Sequence, residues 1–182
     1  MRLGFDCDDV LADFEPALVR WYNENFQPNL APGDLTPNHL IWENIVGLEK
    51  SKKIWELFAN PDFALSLLPV EGAQEGVQTL YQKGAELYVI TSRSVTPDER
   101  TTEWLKRYFP GMIKEVLYGS SYGALGRKTK GELCLDKKLN LFVDDLPRHL
   151  RDVNVVGIPG LLYTRKWNEE FQETELIKRV ND

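Results

Sequence analysis

Three acidic side chains, Asp6, Asp8 and Asp9, crowd the stretch LGFDCDDVLADF at residues 3–14, where a short apolar run ends. Like charges that close repel, and carboxylates leave water at a cost unless something compensates them. A second acidic pair, Asp144 and Asp145, ends the run LFV, and two hydroxyl residues, Thr91 and Ser92, end LYVI. Acids gathered in this way can share a bound cation, and hard oxygen ligands suit Mg²⁺. Each residue alone has a plainer reading. An aspartate after a strand also serves as a helix cap or turn residue, and Thr91 and Ser92 also form turns. The chemical reading rests on all of them falling at the ends of apolar runs. Lys130 opens a predicted helix in GRKTKGELCLDKKL, where the helix dipole disfavours a cation, so it reads as serving an anionic ligand. Lys128 competes for that role, and spacing does not separate the two.

Those residues meet only if the runs lie side by side. RLGFDC, AELYVIT, KEVLYG, NLFVDD and VNVVGIP read as strands, with LLY as a further one. Between them ADFEPALVRWYNENF, EGAQEGVQTLYQKG, TPDERTTEWLKRYF, KGELCLDKKL and PRHLRDV read as helices, and NEEFQETELIKRV as a closing helix. Such alternation predicts an α/β fold, a Rossmann-like, mostly parallel sheet with helices on both faces. Ligands then bind beyond the carboxyl ends of the strands, where the polar residues fall. The Trp-containing stretch 16–70 breaks the alternation. Its segments HLIWENIVG and SKKIWELFAN read as short helices, and PDFALSLLPVEGA as mostly extended or turn. It is expected to form a small helical insert after the first strand, leaving 1–15 and 71–182 as the core.

Composition narrows the function. The net charge of −6 argues against a protein that coats nucleic acid or an anionic membrane, although one cleft can still hold a small anion. No apolar run is long enough to span a bilayer, and MRLGFDCDD carries no signal-peptide pattern. Cys7 and Cys134 make no disulfide framework and read as reduced thiols of a cytoplasmic protein. His39 and His149 stand isolated, so no metal or triad role is expected of them.

In order along the chain, DCDDVLADF, VITSR, a later lysine and LFVDD resemble the four motifs of the haloacid dehalogenase superfamily of phosphatases. FDCDDVLADFEPALVRWYNENF, FALSLLPVEGAQEGVQTL and TTEWLKRYFP are further similar to the 5'(3')-deoxyribonucleotidase family and its bacterial relatives. The resemblance covers residues 2–165 and implies a mobile cap inserted after the first strand. It implies Asp6 as nucleophile, Asp8 as general acid and base, Thr91 as a phosphate holder and Lys130 as the charge-balancing cation. The metal group is drawn from Asp6, Asp8, Asp144 and Asp145, with Asp145 a direct ligand and Asp144 acting through water or a hydrogen bond. Ser92 and Arg93 would face phosphate or sugar, and Phe14, Trp42 and Trp55 the base. For each ring, packing within the insert is the competing role. Asp9 departs from the glycine common after the second aspartate, and Leu146 from a basic or amide residue.

The expected function is an Mg²⁺-dependent phosphomonoester hydrolase, a 5'(3')-nucleotidase acting through an aspartyl-phosphate. Alternatives are a phosphatase of a sugar phosphate or phosphoglycolate, or a phospho-aspartate regulatory module. The expected partner is a small phosphomonoester, with neither nucleic acid polymer nor membrane, and a homodimer stays open.

Overall fold

The computed structural model describes residues 1–26, 29–35, 42–58, 60–93, 99–120 and 126–180, apart from the side chains of Trp55, Phe58, Pro61 and Glu99. His39 and residues 94–98 of the predicted helix TPDERTTEWLKRYF therefore lie outside it, as does the Trp55 ring.

Six short strands form one sheet in which every pairing is parallel, and across it the third strand of the chain is followed by the second, first, fourth, fifth and sixth. The strands are β1 (Arg2–Phe5), β2 (Glu86–Thr91), β3 (Ile113–Tyr118), β4 (Leu141–Asp144), β5 (Gly160–Tyr163) and β6 (Ile177–Val180). β1 lies inside the sheet, with Leu3, Gly4 and Phe5 opposite Leu87, Tyr88 and Val89 on one side. On the other side they face Leu141, Phe142 and Val143. The chain first builds outward through β2 and β3, then returns to place β4 against β1. That reversal makes the β1/β4 junction the topological switch point of the sheet.

Alternate side chains supply two cores because successive strand residues point to opposite faces. Leu3, Phe5, Leu87, Val89 and Val143 share one core with Val77 of α5 (Ala73–Gln82) and Trp104 and Leu105 of α6 (Glu99–Tyr108). Tyr88, Ile90, Phe142 and Leu162 share the other with Leu133 and Cys134 of α7 (Lys130–Asp136) and Leu150 and Val153 of α8 (Pro147–Val155). Fully burying one such aliphatic or aromatic side chain contributes about 1.5–3 kcal/mol.

Between β1 and α5 run α1 (Phe14–Phe26), α2 (Trp42–Val46), α3 (Leu48–Phe58) and α4 (Pro61–Ser66). Leu18, Val19 and Tyr22, at helical spacing on α1, are buried. The entrance and exit of this segment are zipped together. Asp13 N–H donates to Leu68 O at 2.9 Å and Val70 N–H to Leu11 O at 2.8 Å, around a bridge between Ala12 and Pro69. The Trp104 indole N–H donates to Leu67 O at 2.8 Å, tying the residue that ends α4 to α6.

Three local expectations fail. The stretch from residue 61, expected to be extended or turn, opens with α4, because Asn60 caps it by accepting from Asp62 N–H and Pro61 suits its first turn. VNVVGIP is not a strand. Asn154 and Val155 end α8, and Gly157 at φ 79° turns the chain into β5. NEEFQETELIKRV does not form the closing helix. A single 3-10 turn, Lys166–Asn168, leads through a loop to β6. Pairing with the open edge of β5 buries Ile177 to 1% exposure, a burial that outweighs the weak local helical preference.

Candidate active site

Parallel pairing puts the ends of β1, β2 and β4 together, so Asp6, Thr91, Asp144 and Asp145 emerge at one edge. Asp6 N–H donates to Val143 O at 2.8 Å, which extends the β1–β4 register one residue past the strand. Asp6 Oδ1 accepts from Cys7 N–H at 2.7 Å. Lys130 Nζ lies 2.8 Å from Asp6 Oδ2 and 2.8 Å from Asp144 Oδ2, with 1% of its side chain exposed. Burial would lower the lysine pKa, but Asp144 and Asp6 outweigh it and raise it. Thr129 caps α7 and forms a capping box with Glu132. Gly131 lets α7 approach α8, since a Cβ there would stand 2.6 Å from Asp152 O. Lys128, two residues away, is exposed and pairs with Asp136, so Lys130 is the lysine at the carboxylates.

Asp144 accepts from three sides. Besides Lys130, Leu146 N–H donates to Oδ1 at 2.8 Å, and His149 Nδ1 lies 3.1 and 3.2 Å from its oxygens. Burial alone would raise its pKa, yet Lys130 and His149 hold it below the ordinary carboxylate range. Asp6 is raised to about 6, chiefly by burial, with Lys130 offsetting part and Asp144 adding to it. Asp145 is raised well above the usual value by burial and by Asp144, Asp9 and Asp6.

Arg93 is buried, and its guanidinium holds Asp8, with Nε 3.0 and 2.9 Å from the two carboxylate oxygens. Thr91 is fully buried, and its Oγ1 accepts from Arg93 N–H at 3.1 Å, whereas Ser92 is exposed. Phe14 and Trp42 present 6% and 0% of their surface to solvent. The Phe14 ring meets Phe63 edge-on at 5.9 Å, and both Phe14 and Trp42 belong to the core shared by the sheet, α5 and α6. Asp9 takes φ 57°, a left-handed turn that glycine adopts most easily and aspartate tolerates. Its Oδ1 accepts from Glu15 N–H at 2.8 Å at the start of α1. Glu15 in turn accepts from Gly33 and Leu35 N–H, holding the loop after α1.

His149, Trp167 and Asn168 carry no role in the sequence pattern. For His149 a signal existed: it shares the inward helical face of α8 with the buried Leu150 and Val153. Trp167 Nε1 donates to Asp145 Oδ2 at 2.9 Å, and Asn168 Nδ2 to Asp145 O at 2.8 Å. Neither carries a local signal: Trp167 lies between predicted elements, and Asn168 opens the segment NEEFQETELIKRV, whose spacing predicts a helix.

The donor set fits a divalent cation. Asp6, Asp144 and His149 offer atoms within 4.8 Å of one another. Within that trio the Lys130 ammonium already offsets the charge of Asp144, and His149 Nδ1 lies within hydrogen-bond distance of it. The unmet demand for positive charge falls on Asp6 and Asp145, buried carboxylates whose oxygens suit Mg²⁺. An apolar cavity of about 470 Å³, between α5 and the sheet, is lined by Phe5, Val10, Val77 and Val143 among others. It gathers none of these acids and is not the reacting centre.

An aspartate-bearing strand end at the switch point, a buried lysine and a second acidic pair define a phosphatase of the haloacid dehalogenase superfamily. The fold agrees. A superfamily hydrolase of subfamily IA from Geobacter sulfurreducens superposes with a TM-score of 0.58 over 89% of this chain and 86% of that one, at 19% identity. The family model for 5' nucleotidase, deoxy (pyrimidine), cytosolic type C protein matches residues 1–179, and the chain belongs to that family. A 5'(3')-deoxyribonucleotidase of Clostridium acetobutylicum is 26% identical over 82% of this chain and 76% of its own length. A class B acid phosphatase of Salmonella arizonae is 24% identical over 94% of this chain and 66% of its own length.

Proposed function

We propose that the chain is a cytoplasmic, Mg²⁺-dependent 5'(3')-nucleotidase that hydrolyses (deoxy)nucleoside monophosphates through an aspartyl-phosphate on Asp6. The observation that carries this reading is the pairing of Asp6 with buried Lys130 at the β1/β4 junction. A phosphate dianion repels an anionic nucleophile, and a fixed ammonium beside the attacking carboxylate offsets that repulsion. Asp6 and Asp145 would hold Mg²⁺, which supplies further positive charge against the phosphoryl oxygens.

A carboxylate oxygen of Asp6 attacks phosphorus, and the bond from phosphorus to the ester oxygen breaks. Asp8 gives its proton to the leaving alkoxide. Asp8 then takes a proton from water, whose oxygen attacks the phosphorus of the aspartyl-phosphate, releasing inorganic phosphate and restoring Asp6. Arg93 holds Asp8 in the resting state. A phosphoryl dianion competes for that guanidinium, so substrate binding would loosen the pair and turn Asp8 toward the leaving group. Thr91 and the backbone amides beside it would hold the phosphate, with exposed Ser92 at its rim. Lys130, anchored by Asp144, keeps its charge throughout.

The helical segment from 16 to 70 would act as a cap. Its zipped neck joins it to the core where Ala12 bridges Pro69, and Leu67 and Asp34 add contacts to Trp104 and Lys166. With Phe14 and Trp42 buried, their rings serve the packing of that segment in this arrangement, and Trp55 is the remaining aromatic candidate for the base.

The test is phosphate release from 5'- and 3'-nucleoside monophosphates, sugar phosphates and phosphoglycolate, with Mg²⁺ and with a chelator. The expected result is the highest kcat/KM on a nucleoside monophosphate, abolished by the chelator. A sugar phosphate or phosphoglycolate hydrolysed more efficiently would overturn the substrate reading, and a stable phospho-protein without turnover would overturn the enzyme reading.

A further inference from the structure

The acids at the catalytic edge are not treated alike. Asp6 and Asp144 share the Lys130 ammonium, and Asp8 is held by the Arg93 guanidinium. Asp145 receives instead a neutral donor, the Trp167 indole N–H, 2.9 Å from Oδ2. Among the described residues it is the one hydrogen bond given to that carboxylate. An indole N–H can only donate and does not ionise. It orients a carboxylate without cancelling its charge.

The donor sits on a braced turn. Asn168 Nδ2 donates to Asp145 O and to Tyr163 O, both at 2.8 Å, while its Oδ1 accepts from Arg165 N–H and Arg179. The Arg179 guanidinium, from β6, also reaches the Asn168 and Phe171 carbonyls at 2.8 and 3.0 Å. The last strand therefore clamps the turn that aims Trp167. Lys166, next along, reaches Asp34 at 3.1 Å, so the same turn also touches the loop after α1.

We propose that Trp167 is a positioning residue for the metal, fixing the Asp145 carboxylate through Oδ2 so that Oδ1 is left for the cation. The proposal rests on the reading of Asp145 as a ligand. Neighbours that orient a ligand typically change metal affinity about 10–100-fold when removed.

The test is calorimetric titration of Mg²⁺ into Trp167→Phe and Trp167→Tyr, which keep a ring in the half-buried position and remove the indole N–H. Asp145→Asn is titrated beside them, and thermal melts without metal report folding. The expected result is an Mg²⁺ Kd raised about tenfold in folded Trp167→Phe, with kcat at saturating Mg²⁺ within about threefold of the parent. In Asp145→Asn the loss of affinity should exceed that. Unchanged Mg²⁺ affinity in both tryptophan variants, with weakened binding in Asp145→Asn, would overturn the role of Trp167 and leave the ligand reading intact. Unchanged affinity in Asp145→Asn would overturn the ligand reading itself, and the proposal with it.

Discussion

One ammonium is shared by two strands: Lys130 Nζ stands 2.8 Å from both Asp6 on the β1 side and Asp144 at the end of β4. Replacing it with Met leaves two buried carboxylates without their partner. Breaking a buried pair by removing one member typically costs about 3–5 kcal/mol. Since Lys130 lowers the pKa of both acids, the loss should be larger at pH 8 than at pH 5. Urea unfolding of Lys130→Met at the two pH values measures this. Equal destabilisation at both would contradict the shared-charge account.

Asp6→Asn should abolish turnover and spare the fold. It should also remove one pH dependence from the metal-free protein. The Asp6 pKa rises from 3.8 in the unfolded chain to about 6 in the fold, so the native state binds the extra proton between those values. Stability contributed by that protonation is full below about pH 4 and is lost as pH rises through about 6. Asn cannot ionise, so Asp6→Asn should melt higher than the parent at pH 7.5, with the gap closing near pH 4. Melting curves without metal across that range decide it.

Asp8→Asn should lower kcat by about 10²–10⁴-fold, the usual worth of a positioned acid and base, while inorganic phosphate still binds. Arg93→Met should weaken phosphate binding, because it removes the guanidinium that substrate would take over from Asp8. Product inhibition by phosphate reads both. Unaltered inhibition in Arg93→Met would remove that residue from substrate binding.

Ile177→Ala tests the last strand. Ile177 is 1% exposed against β5, and deleting a buried isoleucine to alanine costs about 2–5 kcal/mol. Were the C-terminal segment a surface helix, the same change would be close to neutral. Denaturant midpoints of parent and variant separate the two.

The parallel core was legible because β1, β2 and β4 are short apolar runs, each ending in an acid or hydroxyl. Their shared edge follows from the topology of open α/β sheets, so the gathering of Asp6, Thr91, Asp144 and Asp145 could be anticipated. The last element was not legible. TELIKRV satisfies a helical spacing about as well as a strand one, and only the unpaired edge of β5 makes the strand the better outcome. Asp9 shows a different limit. Its departure from glycine is visible in the sequence without a role, and the backbone at φ 57° and the bond to Glu15 N–H give it a structural one.

By itself the order of residues determined which chemistry was on offer: carboxylates, a hydroxyl and a lysine at the ends of apolar segments, with an irregular segment to cover them. Tertiary structure alone decided that Lys130 rather than Lys128 meets Asp6, that His149 leans on Asp144, that Arg93 holds Asp8 and that Trp167 reaches Asp145. Local pattern records which way a side chain faces along its own strand or helix. It carries no record of which distant side chain arrives opposite, because strand order and helix docking set that encounter.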